Sequence, residues 1–185
     1  MAKQQSKVND VKSLAALVYD RGEEANGIVA AFAADLAHGG VRLGGFVQIV
    51  GAAEPELDKE THVLDLETGA RFPIMQKLGP HSQSCRVDPM ALVDIGQLVL
   101  QALSRKPELL IINRFGRLES EGKGLVDEIG AAALSGLPVL VGVASRYLDQ
   151  WRSFALDLAE ELDCSKEALE AWWDRVRVVR ESAPI

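Results

Sequence analysis

Four short apolar runs punctuate the chain: Leu14 to Tyr19, Gly45 to Val50, Leu109 to Ile112 and Val139 to Val143. The last three are rich in valine and isoleucine, which suit a pleated, buried strand. Stretches with helical spacing separate most of them. Asp88 and Pro89 supply a capping carboxylate and a first-turn proline; Leu92, Ile95, Gly96, Val99 and Leu103 then fall on one helical face. A further helix is predicted from about Gly124 to Ser135, stopped by Gly136 with Pro138 beyond it. Buried strands alternating with helices predict a mostly parallel sheet with helices on its faces, a three-layer α/β fold.

Two regions depart from that rhythm. His62-Val63-Leu64-Asp65-Leu66 and Ala70 to Ile74 alternate around Glu67-Thr68-Gly69, which predicts an inserted β-hairpin. From 148 to 185 the pattern reads as helical. Trp151, Phe154, Leu158 and Leu162 form one stripe, and Ser165 can cap a second helix carrying Leu169, Trp172, Trp173 and Val176. Adjacent residues do not share a helix face, so one of the paired tryptophan rings is expected to be exposed or at a subunit contact. Residues 1–12 are polar and expected to fray; 13–185 suit one domain.

Composition narrows the function. A net charge of −7 gives no reason to expect nucleic-acid binding or an anionic membrane surface. No apolar run is long enough to span a bilayer, and Met1 to Lys7 lacks a signal-peptide core, so the expected location is the cytoplasm. Two cysteines, Cys85 and Cys164, are too few for a disulfide framework or a cysteine-rich zinc site, and no metal site is expected.

The first apolar run leads into Gly22-Glu23-Glu24-Ala25-Asn26-Gly27-Ile28-Val29. The two glycines have the spacing of a phosphate-binding loop, G-x-x-x-x-G-K-[ST], and a small-residue helix is predicted after it, roughly Asn26 to Ala37. Ile28 stands where a lysine would reach the β- and γ-phosphates, and Val29 where a hydroxyl would bind Mg²⁺. The third run continues into Asn113-Arg114-Phe115-Gly116-Arg117-Leu118-Glu119, with an amide and a cation where an NTPase carries acids.

Together these motifs resemble the small P-loop nucleoside-triphosphatases first known from thermophiles. The chain keeps Gly44-Gly45-Phe46, Leu64-Asp65-Leu66-Glu67-Thr68-Gly69, Gly116 and Glu119, in order across roughly residues 13 to 147. It is more similar still to an uncharacterised bacterial family named as a domain of unknown function, whose genes often sit beside molybdate-transport genes. The quoted run from Asn113 to Glu119, followed by Gly122-Lys123-Gly124-Leu125, carries that resemblance. It implies a P-loop-NTPase-like fold and a molybdate-transport protein as a candidate partner; the tryptophan-bearing C-terminal helices make a second copy of this chain another candidate.

In an open parallel sheet, ligands bind outside the carboxyl ends of the strands. Tracing each strand to that edge yields Arg21, Gly22, Ala25, Asn26 and Gly27 from the first, Asn113, Arg114 and Arg117 from the third, and Ser145 and Arg146 from the fourth. Four arginines beside a helix N-terminus suit a tetrahedral oxyanion. The candidate ligands are molybdate, sulfate or phosphate, or a nucleotide; no residue is assigned a catalytic role. Asp20, Glu23 and Glu24 oppose an anion, and with Glu119 and Glu121 they could instead pair with the arginines as a solvated network. The loop holding His81, Cys85 and Arg86 is a candidate lid. Three functions stay open: a non-hydrolysing anion-binding protein, the preferred reading; an NTPase in which Arg21 or Lys123 replaces the lysine; and an interaction module with an empty nucleotide site.

Overall fold

The computed structural model describes residues 11–50, 61–74 and 88–182. Its sheet has seven strands: β1 (Leu14–Tyr19), β2 (Leu43–Val50), β3 (Thr61–Asp65), β4 (Arg71–Pro73), β5 (Leu109–Phe115), β6 (Val139–Ala144) and β7 (Ala159–Asp163), in the order β4-β3-β2-β5-β6-β1-β7. From β2 to β7 every pairing is parallel; only β2–β3 and β3–β4 are antiparallel, and they form the inserted hairpin. Its turn is closed by Asp65, whose carboxylate accepts hydrogen bonds from the Glu67 amide and the Thr68 hydroxyl. Gly69 adopts φ +73° there, a conformation glycine enters without strain.

The helices are α1 (Gly22–His38), α2 (Pro89–Arg105), the short α3 (Arg117–Ser120), α4 (Val126–Leu134), α5 (Leu148–Ala155) and α6 (Lys166–Ser182). Strand alternation divides the apolar side chains between two cores. Leu110 and Ile112 of β5 join Ile95, Val99, Ile129 and Trp151 under α2, α4 and α5. Leu109 and Ile111 join Val29, Phe32, Leu169 and Trp172 under α1 and α6. The result is the expected three-layer α/β arrangement. The Asp88 carboxylate caps α2 through the Met90 amide at 2.9 Å, with Pro89 in the first turn, as the spacing predicts.

The helical C-terminal part is present, but the stripe expected through Leu162 is not one helix. α5 ends at Ala155, Leu156 takes φ +50°, and Ala159–Asp163 form β7 alongside β1. β7 satisfies the backbone groups along the outer edge of β1, a demand invisible in local periodicity. The tryptophans also differ from expectation. Leu169, Trp172, Trp173 and Val176 have i, i+3, i+4, i+7 spacing, so both rings flank one stripe, and they are 0% and 6% exposed. The Trp172 indole N–H donates to the Lys12 carbonyl at 3.0 Å. Of the segment expected to fray, Val11 packs against the second core and the Lys12 ammonium donates to the Ala159 carbonyl at 3.1 Å; residues 1–10 and the candidate lid at His81, Cys85 and Arg86 lie outside the described residues.

Candidate functional site

α1 begins at Gly22, four residues before its expected start, so the segment from Gly22 to Gly27 is the first turn and a half of a helix. The Ala25 amide already donates to the Arg21 carbonyl at 3.2 Å. Only the N–H groups of Gly22, Glu23 and Glu24 precede it in the helix, and neither Gly22 nor Gly27 takes a positive φ. Glu23 and Glu24 in the first turn complement the positive end of the helix dipole, a physical reason for helix where glycine spacing suggests a loop. The amides of Gly22, Ala25, Asn26 and Gly27 therefore do not converge as a phosphate cradle. Ala25 is buried and Gly27 is exposed.

Asn113 lies within β5 rather than beyond its end, because the strand runs on to Phe115. Its side chain is 1% exposed and donates through Nδ2 to Oδ1 of Asn26 at 2.9 Å. β6 lies between β5 and β1, so this bond has to cross it on the α1 face. Gly142 makes that crossing possible: a Cβ there would stand 2.7 Å from Asn113 Oδ1. Asn113 Oδ1 itself has no hydrogen-bond partner. The β1–α1 corner is thus tied to the end of β5 by two amides. With Ile28 for the lysine, Val29 for the hydroxyl and helix for the cradle, these residues do not fit a magnesium-bound nucleotide. Among the described residues, no group of three or more His, Cys, Asp and Glu is placed to hold a metal ion.

The four arginines separate. Arg21 lines a pocket with Val18, Tyr19, Asp20, Glu24 and Cys164. Two carboxylates there oppose one guanidinium. The Cys164 thiol is pushed up, first by burial and then by Glu24 and Asp20, which marks the corner as electronegative. Asp20 also accepts a hydrogen bond from the Ser145 hydroxyl, joining the ends of β1 and β6. Arg146 is exposed and lies over the Tyr147 ring, 5.3 Å from its centroid. The phenol of Tyr19 is held above its ordinary value by burial, with Arg114 and then Arg146 pulling the other way, so both guanidinium charges reach it.

Alternation turns Arg114 to the face opposite Asn113. Its Nη1 donates to Oε1 of the buried Gln48 on β2 at 3.3 Å. Arg114 and Arg117 line one cavity together with Phe46, Gln48, Ile74, Leu92, Ile95, Leu118, Glu119 and Leu125. Arg117 pairs with Glu121 at 3.0 Å, part of the solvated network left open by the sequence. Glu119 does something else. Its carboxylate, 6% exposed, accepts from the Gly116 amide at 2.9 Å and the Leu125 amide at 3.1 Å, which closes the loop from 116 to 125. Gly124, at φ +64°, leaves the space that one Glu119 oxygen occupies.

Sequence reasoning put Asn26, Asn113, Arg114 and Arg117 in one site; the structure instead joins Asn26 to Asn113 on one face and sets Arg114 and Arg117 around a cavity on the other. It missed Gln48, and it gave no ligand role to Phe46, Leu118 and Leu125, which lie within the quoted motifs, or to Leu92 and Ile95 on the predicted helix face. A glycine inside the valine-rich β6 was the available signal for Gly142.

This sheet order, with parallel β2-β5-β6-β1-β7 and helices on both faces, is a P-loop-NTPase-like fold. The chain matches the solution structure of a human cancer-related nucleoside triphosphatase with a TM-score of 0.63 and 17% identity, covering 92% of this chain and 99% of that one. The chain belongs to the family described as "Protein of unknown function (DUF2478)", which it matches over residues 14–172. It is also similar to the molybdenum import ATP-binding protein ModC 2 of Bradyrhizobium diazoefficiens, 32% identical over 176 residues. That match takes in 93% of this chain but 20% of the relative, so the chain spans about one fifth of its length.

Proposed function

We propose that this chain is a single-domain, non-hydrolysing binding protein derived from a P-loop NTPase. It takes an oxyanion or phosphate-bearing ligand at the carboxyl edge of the sheet and works in the cytoplasm beside molybdenum import. The observation that carries the reading is the Asn26–Asn113 bond, where an NTPase would need a phosphate cradle facing an acid. Arg114 and Arg117, on one cavity wall, are the residues best placed to receive the anion. The α1 terminus is a poorer receiver, since Asp20 and Glu24 line its pocket. The molybdenum link rests on the ModC 2 similarity.

A rewired NTPase is less well supported. Arg21 shares its pocket with two acids, and Lys123 stands 3.8 Å from Glu121. One observation favours an interaction module: Met90, Val93 and Leu100 form an exposed apolar stripe along α2. The test is a thermal-shift and calorimetry panel of phosphate, sulfate, molybdate, tungstate, ATP and GTP, each with and without Mg²⁺. A ligand bound only by the folded state raises its stability. Stabilisation by an oxyanion, lost in Arg114→Ala/Arg117→Ala, is expected. Phosphate release from Mg-ATP that depends on Arg21 or Lys123 would replace this reading with the rewired enzyme.

A further inference from the structure

We infer that the ligand of the Arg114–Arg117 cavity is a small organic anion with a short aliphatic body, not a bare inorganic oxyanion. This inference rests on the proposed anion-binding function and specifies its ligand class. Among the described residues, every wall residue beyond the charged groups and Gln48 is apolar: Phe46 of β2, Ile74 just past β4, Leu92 and Ile95 of α2, and Leu118 and Leu125 in and after α3. A bare tetrahedral anion keeps all its faces polar and would leave those walls without a partner. A ligand polar at one end and apolar at the other satisfies both.

The electrostatics are mild, and they limit the charge the ligand carries. Arg114, Arg117 and Glu119 line the cavity; Glu121 pairs with Arg117, and Lys123 with Glu121. Both Glu119 oxygens are engaged by backbone amides, and Glu121 pairs with Arg117 and Lys123. Among the described residues the balance is one net positive charge, which favours a single anionic head over a triphosphate. Gln48 accepts from Arg114, which holds the guanidinium beside the cavity.

Size then decides the body. The cavity volume is about 70 Å³. A cavity of about 150 Å³ admits benzene, and a water-sized group occupies about 30 Å³. At about half the volume that admits benzene, the cavity does not take an aromatic ring without rearrangement, whereas a short aliphatic chain enters.

The experiment is calorimetry on the full chain with a homologous series: inorganic phosphate, then methyl, ethyl, propyl, butyl and hexyl phosphate, with benzyl phosphate as the bulky member. Each buried methylene is expected to tighten binding about fourfold, until the cavity fills near the propyl member. Beyond it the affinity levels off, and benzyl phosphate binds no better than ethyl phosphate. Leu92→Phe, which shrinks the cavity, should flatten the rise in affinity from methyl to propyl phosphate. Should that variant not fold, the wild-type series still decides. A flat series with Arg114-dependent binding of inorganic phosphate overturns this inference and leaves the proposed function standing. No binding by any member overturns this inference, and the proposed function falls with it when sulfate, molybdate and tungstate are silent too.

Discussion

Gly142→Ala is the sharpest probe of how the site is closed. The new methyl carbon would stand 2.7 Å from Asn113 Oδ1, inside the distance real Cβ contacts adopt, and 3.3 Å from the Asn113 carbonyl carbon. Asn113 has little freedom to retreat, because it is 1% exposed and bound to Asn26 through the other amide atom. Overpacking of this kind costs about 1–3 kcal/mol, and breaking the Asn26 bond adds about 1 kcal/mol. For a domain of this size, 2 kcal/mol corresponds to a fall in Tm of roughly 4–8 °C.

Asn113→Ala alone should cost little. It forfeits the bond to Asn26 but also removes a buried acceptor without a partner, itself a penalty of about 1–3 kcal/mol. In the Asn113→Ala background the Gly142 methyl meets only backbone at 3.3 Å and beyond, so its cost should drop by at least about 1 kcal/mol. Urea unfolding followed by circular dichroism on the four variants of the cycle measures this coupling. Equal costs of Gly142→Ala in both backgrounds would refute the claim that the Asn113 side chain crosses β6.

Other expectations follow from the same geometry. Glu119→Ala strands the Gly116 and Leu125 amides and should destabilise the protein by about 2–4 kcal/mol in the same unfolding assay. Arg114→Ala removes a positive charge near Tyr19 and should raise its phenol further, seen as a later tyrosinate transition in an ultraviolet titration. Asp35 on α1 is held below its ordinary value, first by the hydrogen bond from Lys166 on α6 and then by its charge. A carboxylate lowered in the folded state stabilises above its unfolded pKa and loses that contribution as pH falls through the folded one, so the window lies below about pH 4. Lys166→Met should return the Asp35 carboxyl to its ordinary titration by NMR, with little effect at pH 7 because both groups are exposed. ATP and GTP hydrolysis, followed as phosphate release, should not exceed background with or without Mg²⁺.

Much of the fold was legible in the chain itself. Apolar runs bounded by glycine and proline located β1, β2, β5 and β6, and the Asp65–Gly69 turn marked the hairpin. These are local signals, because one segment buries both faces or one turn needs one conformation. What the chain could not reveal depends on neighbours distant in sequence. β7 exists because the edge of β1 needs a partner, and both tryptophans are buried because α6 lies flat over the second core. The glycine spacing from 22 to 27 suggested a loop, yet two first-turn glutamates and an amide bond across the sheet make it helix.

The candidate site divides along the same line. Sequence determined which chemistry could reach the carboxyl edge: amides at Asn26 and Asn113, guanidinium groups at Arg114 and Arg117, and Ile28 and Val29 where the phosphate-loop pattern has a lysine and a hydroxyl. Tertiary structure decided the partnerships. Strand alternation sent neighbours Asn113 and Arg114 to opposite faces, one into a sealed amide pair and the other beside Gln48 at an apolar cavity. Residue identity sets what a side chain can bind, but direction and distance set what it meets, and those arise only when separate strands are laid side by side.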